Sequence, residues 1–339
     1  MELLKKLVEA YGVSGNEGEV RELIKNEISK CVDEVHTDKL GNLVAHKKGK
    51  LPRVMLAAHM DEIGLIIKRI NERGKIVFST VGGIEVSALI GQKVSIQTNK
   101  KNQLLGVITL DQMSSGDSIK ELPRVTDLYI DTGLDREQLA ELGVEIGNYV
   151  YFYDSRYSLA TNEFIIGKSL DNRIGCYVLI ELAKLLKENK NEIFYVFTVQ
   201  EEIGMYGART SAYTIDPSWA IAVDATTTDD VYATPTRSLK GGPCITVKDA
   251  GMLGNKCIND WLREIAKKSN IPIQYDVSEY GATDALTISL ARGGIPSTTV
   301  SIPVRNIHTA VGMAHVSDIK NTIKLLELLL RKPPLVCVV

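Results

Sequence analysis

The sequence predicts an α/β protein: a mixed, mostly parallel sheet flanked by helices, with a small β-barrel inserted into it. Three observations carry this. Apolar runs of strand length alternate with amphipathic helical stretches at both ends of the chain. Several of those runs, such as "RVMLAAH" and "WAIAVDA", are apolar at nearly every position, as strands covered on both faces are. Between about Ile66 and Ala160 the pattern changes to short strands separated by glycine or asparagine turns.

"MELLKKLVEAYG" interrupts its apolar residues with charges every few positions, so it predicts an amphipathic helix and not a signal peptide. "NEGEVRELIKNEISK" predicts a second helix, with Val20, Leu23, Ile24 and Ile28 on one stripe. Asn16 is its expected cap and Glu19 the partner in a capping box. The basic "AHKKGK" reads as a solvated turn. In the middle region, "LIIKRIN", "KIVFSTVGG", "QKVSIQT", "QLLGVITL" and "YVYFYD" are the expected barrel strands. "DREQLAELG" is the expected helix, and "DQMSSGDSIKELPR" a polar, mobile loop. "NRIGCYVLIELAKLLKEN" then predicts a long helix, and "EIFYVFTV" and "WAIAVDA" buried strands. "CINDWLREIAKKSN" (helix), "STTVSIPV" (strand) and "HVSDIKNTIKLLELLLR" (helix) complete the expected order. The expected division is residues 1–65 and 161–339 in the α/β domain, with 66–160 as the insert.

The 339 residues are ample for a sizeable core. A formal charge of −2 argues against nucleic-acid binding by bulk charge. No uncharged apolar run reaches membrane-spanning length; the greasiest helix carries Lys324 and Glu327. Five cysteines with no CxxC spacing suggest reduced thiols and a cytoplasmic home.

The chemistry begins with "VQEEIGMYGA", where a buried strand ends on two adjacent acids, Glu201 and Glu202. Neighbouring side chains of a strand point to opposite faces. For both acids to serve one site the strand must already have turned, which Gly204 and Gly207 would permit. His59 and Asp61 follow another strand, Asp224 ends a third, and His308 follows a fourth. Asp171 stands at a helix start. Each alone has an ordinary reading as a cap, a turn or a packed side chain. Together they crowd the carboxyl edge of a sheet, where sites of open α/β folds assemble. Two of only five histidines fall there. Imidazole and carboxylate without cysteine suit zinc, cobalt or manganese. Asp171, Glu202, Asp224 and a hydroxide would neutralise two divalent ions. Glu201 is then free to act as a base.

In their order along the chain, "HMDEIG", "SLDNRIG", "QEEIGMYGA", "VDAT", "YGATDA" and "IPVRNIH" resemble the tetrahedral (TET) aminopeptidases of the glutamyl-aminopeptidase family. These are dinuclear-metal exopeptidases, and the resemblance spans essentially the whole chain. It implies one metal on His59, Asp171 and Asp224. It implies a second on Asp171, Glu202 and His308, with zinc the first choice and cobalt the second. It makes Glu201 the general base and Asp61 the carboxylate that orients His59. It also implies a cis Asp171–Asn172 peptide, a zinc-exopeptidase type of main domain and a PDZ-like insert used for dimerisation. Peptide substrates and a homo-oligomeric, tetrahedral dodecamer follow from it, with no nucleic-acid or membrane partner. Two other readings stand beside the aminopeptidase. One is a different metallo-hydrolase on this scaffold, since some relatives are called cellulases. The other is an inactive scaffold relative, which would be expected to have lost Glu201 or a ligand.

Overall fold

The computed structural model describes residues 1–100, 102–119, 121–153 and 157–335. Lys120, Asp154 and Cys337, which figure in the expectations above, lie outside the described residues.

An eleven-stranded sheet forms the main layer. Its centre is four parallel strands, in the order Asn191–Thr198, Lys50–His59, Trp219–Thr227 and Ser297–Arg305. Antiparallel strands extend both edges. The pleat explains why the central strands are apolar throughout. Val54, Leu56 and Ala58 face the larger core, beneath the helices Glu2–Glu9, Gly18–Ile28, Leu170–Leu185, Lys256–Ser269 and Val316–Arg331. Met55 and Ala57 face the opposite core, beneath helices Tyr206–Ile215 and Asp284–Ser289. Each central strand is therefore covered on both sides.

The inserted region closes into a six-stranded antiparallel barrel, running from the strand Gly64–Ile70 to the strand Tyr149–Phe152. Leu65, Ile67, Phe78, Val94, Ile108, Ile130 and Val150 fill it. Ala310 and Val311, from a loop that follows the strand Ser297–Arg305, pack into the same cluster. Ser158–Leu159 pairs with Phe164–Gly167 in the large sheet.

Several local expectations fail for physical reasons. The second helix begins at Gly18 with Glu17 at its N-cap position. Asn16 instead donates to Tyr151 and Gln97 of the barrel, so a tertiary contact outcompetes the cap. "AHKKGK" is not a free turn: Leu43–Lys47 is a sheet strand, with His46 stacked on Phe194 and 3.2 Å from Glu192. Asp111–Ser115, in the expected polar loop, is a short helix. Cys257 is disulfide-bonded, against the expectation of reduced thiols, while Cys31, Cys176 and Cys244 are free. Pairing depends on Cα positions a few ångströms apart, which sequence spacing does not display. Among the described residues, no helix is long and apolar enough to cross a membrane.

Candidate active site

His59 is the last residue of its strand and pairs in register with Thr198, the last residue of the neighbouring one. On the other side Ala222 is level with Ala57, so Asp224 is level with His59. Alternation then puts His59 and Asp224 on one face, and His59 Nε2 lies 3.5 Å from Asp224 Oδ1.

Asp171 enters from the start of the long helix, where it and Asn172 have non-helical backbone and share a cis peptide bond. Its two oxygens face different histidines. Oδ1 is 3.1 Å from His59 Nε2, and Oδ2 is 3.5 Å from His308 Nε2. His308 sits in a left-handed conformation, φ 58°, in the loop past the strand Ser297–Arg305.

The two glutamates do diverge. Glu201 Oε2 is 3.9 Å from His59 Nε2, whereas Glu202 Oε2 is 3.7 Å from His308 Nε2. The turn that leads into them starts at Gln200, four residues before the first glycine expected to permit it, with a φ of 57°. Gly204, φ 147°, continues it. Gly207 serves close packing instead: a Cβ there would meet Asn42 Oδ1 at 2.2 Å and Val199 O at 2.5 Å. The N–H groups of Glu201 and Glu202 both donate to Asp61, at 3.1 Å each, and Ser14 Oγ donates to it at 2.6 Å. Asp61 Oδ1 also lies 3.5 Å from His59 Nδ1.

All seven predicted residues thus meet at one place. The ligand atoms of His59, Asp171 and Glu202 lie within 4.8 Å of one another. That trio takes members from both of the expected metal groups. Beside it a cleft is lined by Ile63, Leu170, Val304, Ile307 and Thr309.

The charges fit cations. Burial, reinforced by the negative charge of Asp171, pushes Glu202 up to about 8. Burial also raises Asp224, and lifts Glu201 well above the carboxylate range. Burial would raise Asp171 too, but hydrogen bonds with His308 and His59 outweigh it and hold it low. The hydrogen bond to Asp171 takes His308 up to about 9. Acids this crowded hold their charge only when positive charge is supplied. Two imidazoles are too few for them. A divalent cation meets the need with the oxygen and nitrogen donors present.

Sequence reasoning missed the supports. Asp284, in "YGATDA", is buried against the site and accepts a hydrogen bond from Thr198. Burial pushes it up to about 7. Glu62, Lys168 and Arg173 form a buried ionic cluster beneath the loop that follows His59. Lys168 Nζ lies 2.6 Å from Glu62 Oε2, and Arg173 Nε is 2.8 Å from Met60 O. The signal was available: each is a charged residue within three positions of a candidate ligand.

A family profile described as M42 glutamyl aminopeptidase matches residues 41–325. The chain is 37% identical to the lysyl aminopeptidase of Pyrococcus furiosus, over 98% of this chain and 96% of that one. Among solved structures it is similar to the TET1 peptidase of Pyrococcus horikoshii, described as assembling into a tetrahedron or a large octahedral shell. That match has a TM-score of 0.87 and 32% identity, covering 97% of this chain and 98% of the other. It is also similar to a structure named an endoglucanase, from Thermotoga maritima. There the TM-score is 0.79 and the identity 34%, with 96% of each chain covered. By the extent of the profile match and these whole-length similarities, the chain belongs to the M42 glutamyl aminopeptidase family of peptide hydrolases.

Proposed function

We propose that this chain is a dinuclear metal-dependent aminopeptidase acting on short peptides. One observation carries the reading: Asp171 presents one oxygen to His59 and the other to His308, so that one carboxylate would serve both ligand sets. His59, Asp171 and Asp224 would hold one divalent ion. Asp171, Glu202 and His308 would hold the second, with zinc the first candidate and cobalt the next. When bound, such ions polarise a peptide carbonyl and acidify water. Glu201 leans toward His59, and it takes the proton of the attacking water. The same carboxyl then hands that proton to the leaving amine. Asp61 keeps His59 oriented through the Nδ1 side of the ring and fixes the main chain of both glutamates.

The wider proposal places catalysis in residues 1–65 and 161–339 and assigns the barrel region, 66–160, to dimerisation. A homo-oligomer, and within it a dodecamer, is proposed from the similarity to a shell-forming TET peptidase. Cytoplasmic location is proposed on the free thiols of Cys31, Cys176 and Cys244 among the described residues, with the Cys257 disulfide standing against it.

The endoglucanase name of one neighbour raises a second reading. Glycosidases place two carboxyl groups on either side of the bond with no metal. Here the carboxylates converge on two imidazoles, which favours the peptidase. The test is a panel of aminoacyl-p-nitroanilides and a cellulosic substrate, each with and without chelator, alongside metal analysis. Release of nitroaniline that chelator abolishes and zinc or cobalt restores is expected. Chelator-resistant cleavage of the cellulosic substrate alone would overturn the proposal.

A further inference from the structure

The barrel reaches the active site at one turn. The barrel strand Ile76–Val81 runs into Gly82 and Gly83 before a short 3-10 turn at Val86–Ala88. Gly82 is left-handed, φ +84°, and is pressed against the catalytic domain. A Cβ there would stand 3.1 Å from Glu202 Oε2, 3.2 Å from Glu202 Cβ and 2.8 Å from Ile63 Cγ2. A Cβ on Gly83 would lie 3.4 Å from His308 Nδ1 and 3.8 Å from its Cε1. So two consecutive glycines of the inserted domain face two site residues that come from separate strand ends.

The main chain of both site residues is anchored. The N–H of Glu202 is held by Asp61 Oδ2 at 3.1 Å, which anchors its Cβ. The loop that carries His308 is tied down two residues later, where Ala310 is 2% exposed and packs into the barrel core with Val311. The barrel thus grips the His308 loop from its core and faces the ring from its glycine turn.

We infer that the Gly82–Gly83 turn is a positioning element of the active site, packed against Glu202 and His308 so that the barrel helps hold that half of the site. The inference rests on the proposed reading, in which these two residues share an ion. Its content is separate: the insert shapes the site of its own chain as well as serving assembly.

The barrel supplies a matched control. Gly133 has nearly the same backbone, φ +76°, yet a Cβ there meets nothing within 4 Å. Gly133→Ala reproduces the left-handed strain without the contact. Gly82→Asn does the reverse, because asparagine tolerates the left-handed region but carries a Cβ. The measurement is zinc affinity and stoichiometry of the purified holoenzyme against a competing chelator. Gly82→Ala and Gly82→Asn are expected to keep one zinc at wild-type affinity and to weaken the other about 10- to 100-fold, the usual effect of disturbing a ligand's support. Gly133→Ala is expected to bind both as wild type does. If neither Gly82 variant is recovered folded, Gly83→Val carries the test, since its branched side chain would press on the His308 ring from a residue outside the left-handed region; the same selective loss is expected. Wild-type binding in all the folded variants overturns the inference, as does recovery of both zincs in Gly82→Asn, which would trace the effect to backbone strain. A wild-type protein that binds fewer than two zincs overturns the proposed function itself.

Discussion

Asp61 Oδ1 accepts the main-chain N–H of Glu201 at 3.1 Å, so the orientation of the proposed base is fixed through its backbone by a carboxylate 140 residues away. The other oxygen of Asp61 accepts the next N–H, that of Glu202, and the hydroxyl of Ser14. Burial by itself would raise Asp61, but its hydrogen bond and charge interaction with His59, and the Ser14 bond, outweigh it and hold the group below its ordinary value.

Asp61→Asn tests that arrangement. An amide turns one acceptor oxygen into a donor facing N–H donors, which leaves buried groups unsatisfied. Turnover is expected to fall about 10- to 100-fold or more, as for other supports of metal-binding histidines. Ser14→Ala, which removes one hydrogen bond and leaves the carboxylate, is expected to fall less. Steady-state kinetics with one aminoacyl-p-nitroanilide compares them; equal losses would refute the ranking.

The two glutamates separate by role. Glu201→Gln keeps the shape and removes the base, so turnover is expected to drop at least about 10²- to 10⁴-fold with metal content intact. Glu202→Gln is expected to lose one ion, with activity partly recovered at high zinc. Metal stoichiometry and turnover measured side by side decide it. Near-normal turnover of fully loaded Glu201→Gln, or two tightly held ions in Glu202→Gln, would sink the division.

Metal binding is expected to be pH-dependent. Without a cation, Glu202 is pushed up to about 8 and His308 up to about 9, so both carry protons at pH 7. A ligand must shed its proton. Binding at pH 7 therefore releases protons, and affinity rises with pH through the interval from 7 to 9. Calorimetric titrations in buffers of different ionisation enthalpy report the release directly. An observed enthalpy independent of buffer would contradict it.

The buried Lys168–Glu62 pair predicts a stability effect. Lys168 Nζ meets both Glu62 oxygens, at 2.8 and 2.6 Å, and Ala10 O at 3.1 Å. Lys168→Met removes one partner and leaves Glu62 with the 3.4 Å Arg173 contact and the Gly12 N–H. Breaking a buried pair this way costs about 3 to 5 kcal/mol. Denaturant unfolding of the variant should show a lowered midpoint with an unchanged slope; an unmoved midpoint would contradict it.

What the sequence determined by itself was local or periodic. Near-continuous apolar runs marked the central strands, because each of their faces meets a helical layer. Strand ends marked His59, Asp224, Glu201 and Glu202, because several buried runs that all stop on acids or histidine at one sheet edge form a joint pattern that no single cap or turn explains. Tertiary structure decided the rest. Asn16 was drawn from a helix cap to Tyr151, 135 residues away. The turn before Glu201 fell on Gln200 and not on a glycine, because Glu17 and Asp61 accept the main-chain N–H groups of Gln200 and Glu201 and hold the chain there. The Glu62–Lys168–Arg173 cluster and the approach of Gly82 to Glu202 join segments more than a hundred residues apart. Such contacts follow from how layers and barrel pack in three dimensions. No periodicity records them, since a sequence pattern reports which face of an element is buried and not what it is buried against.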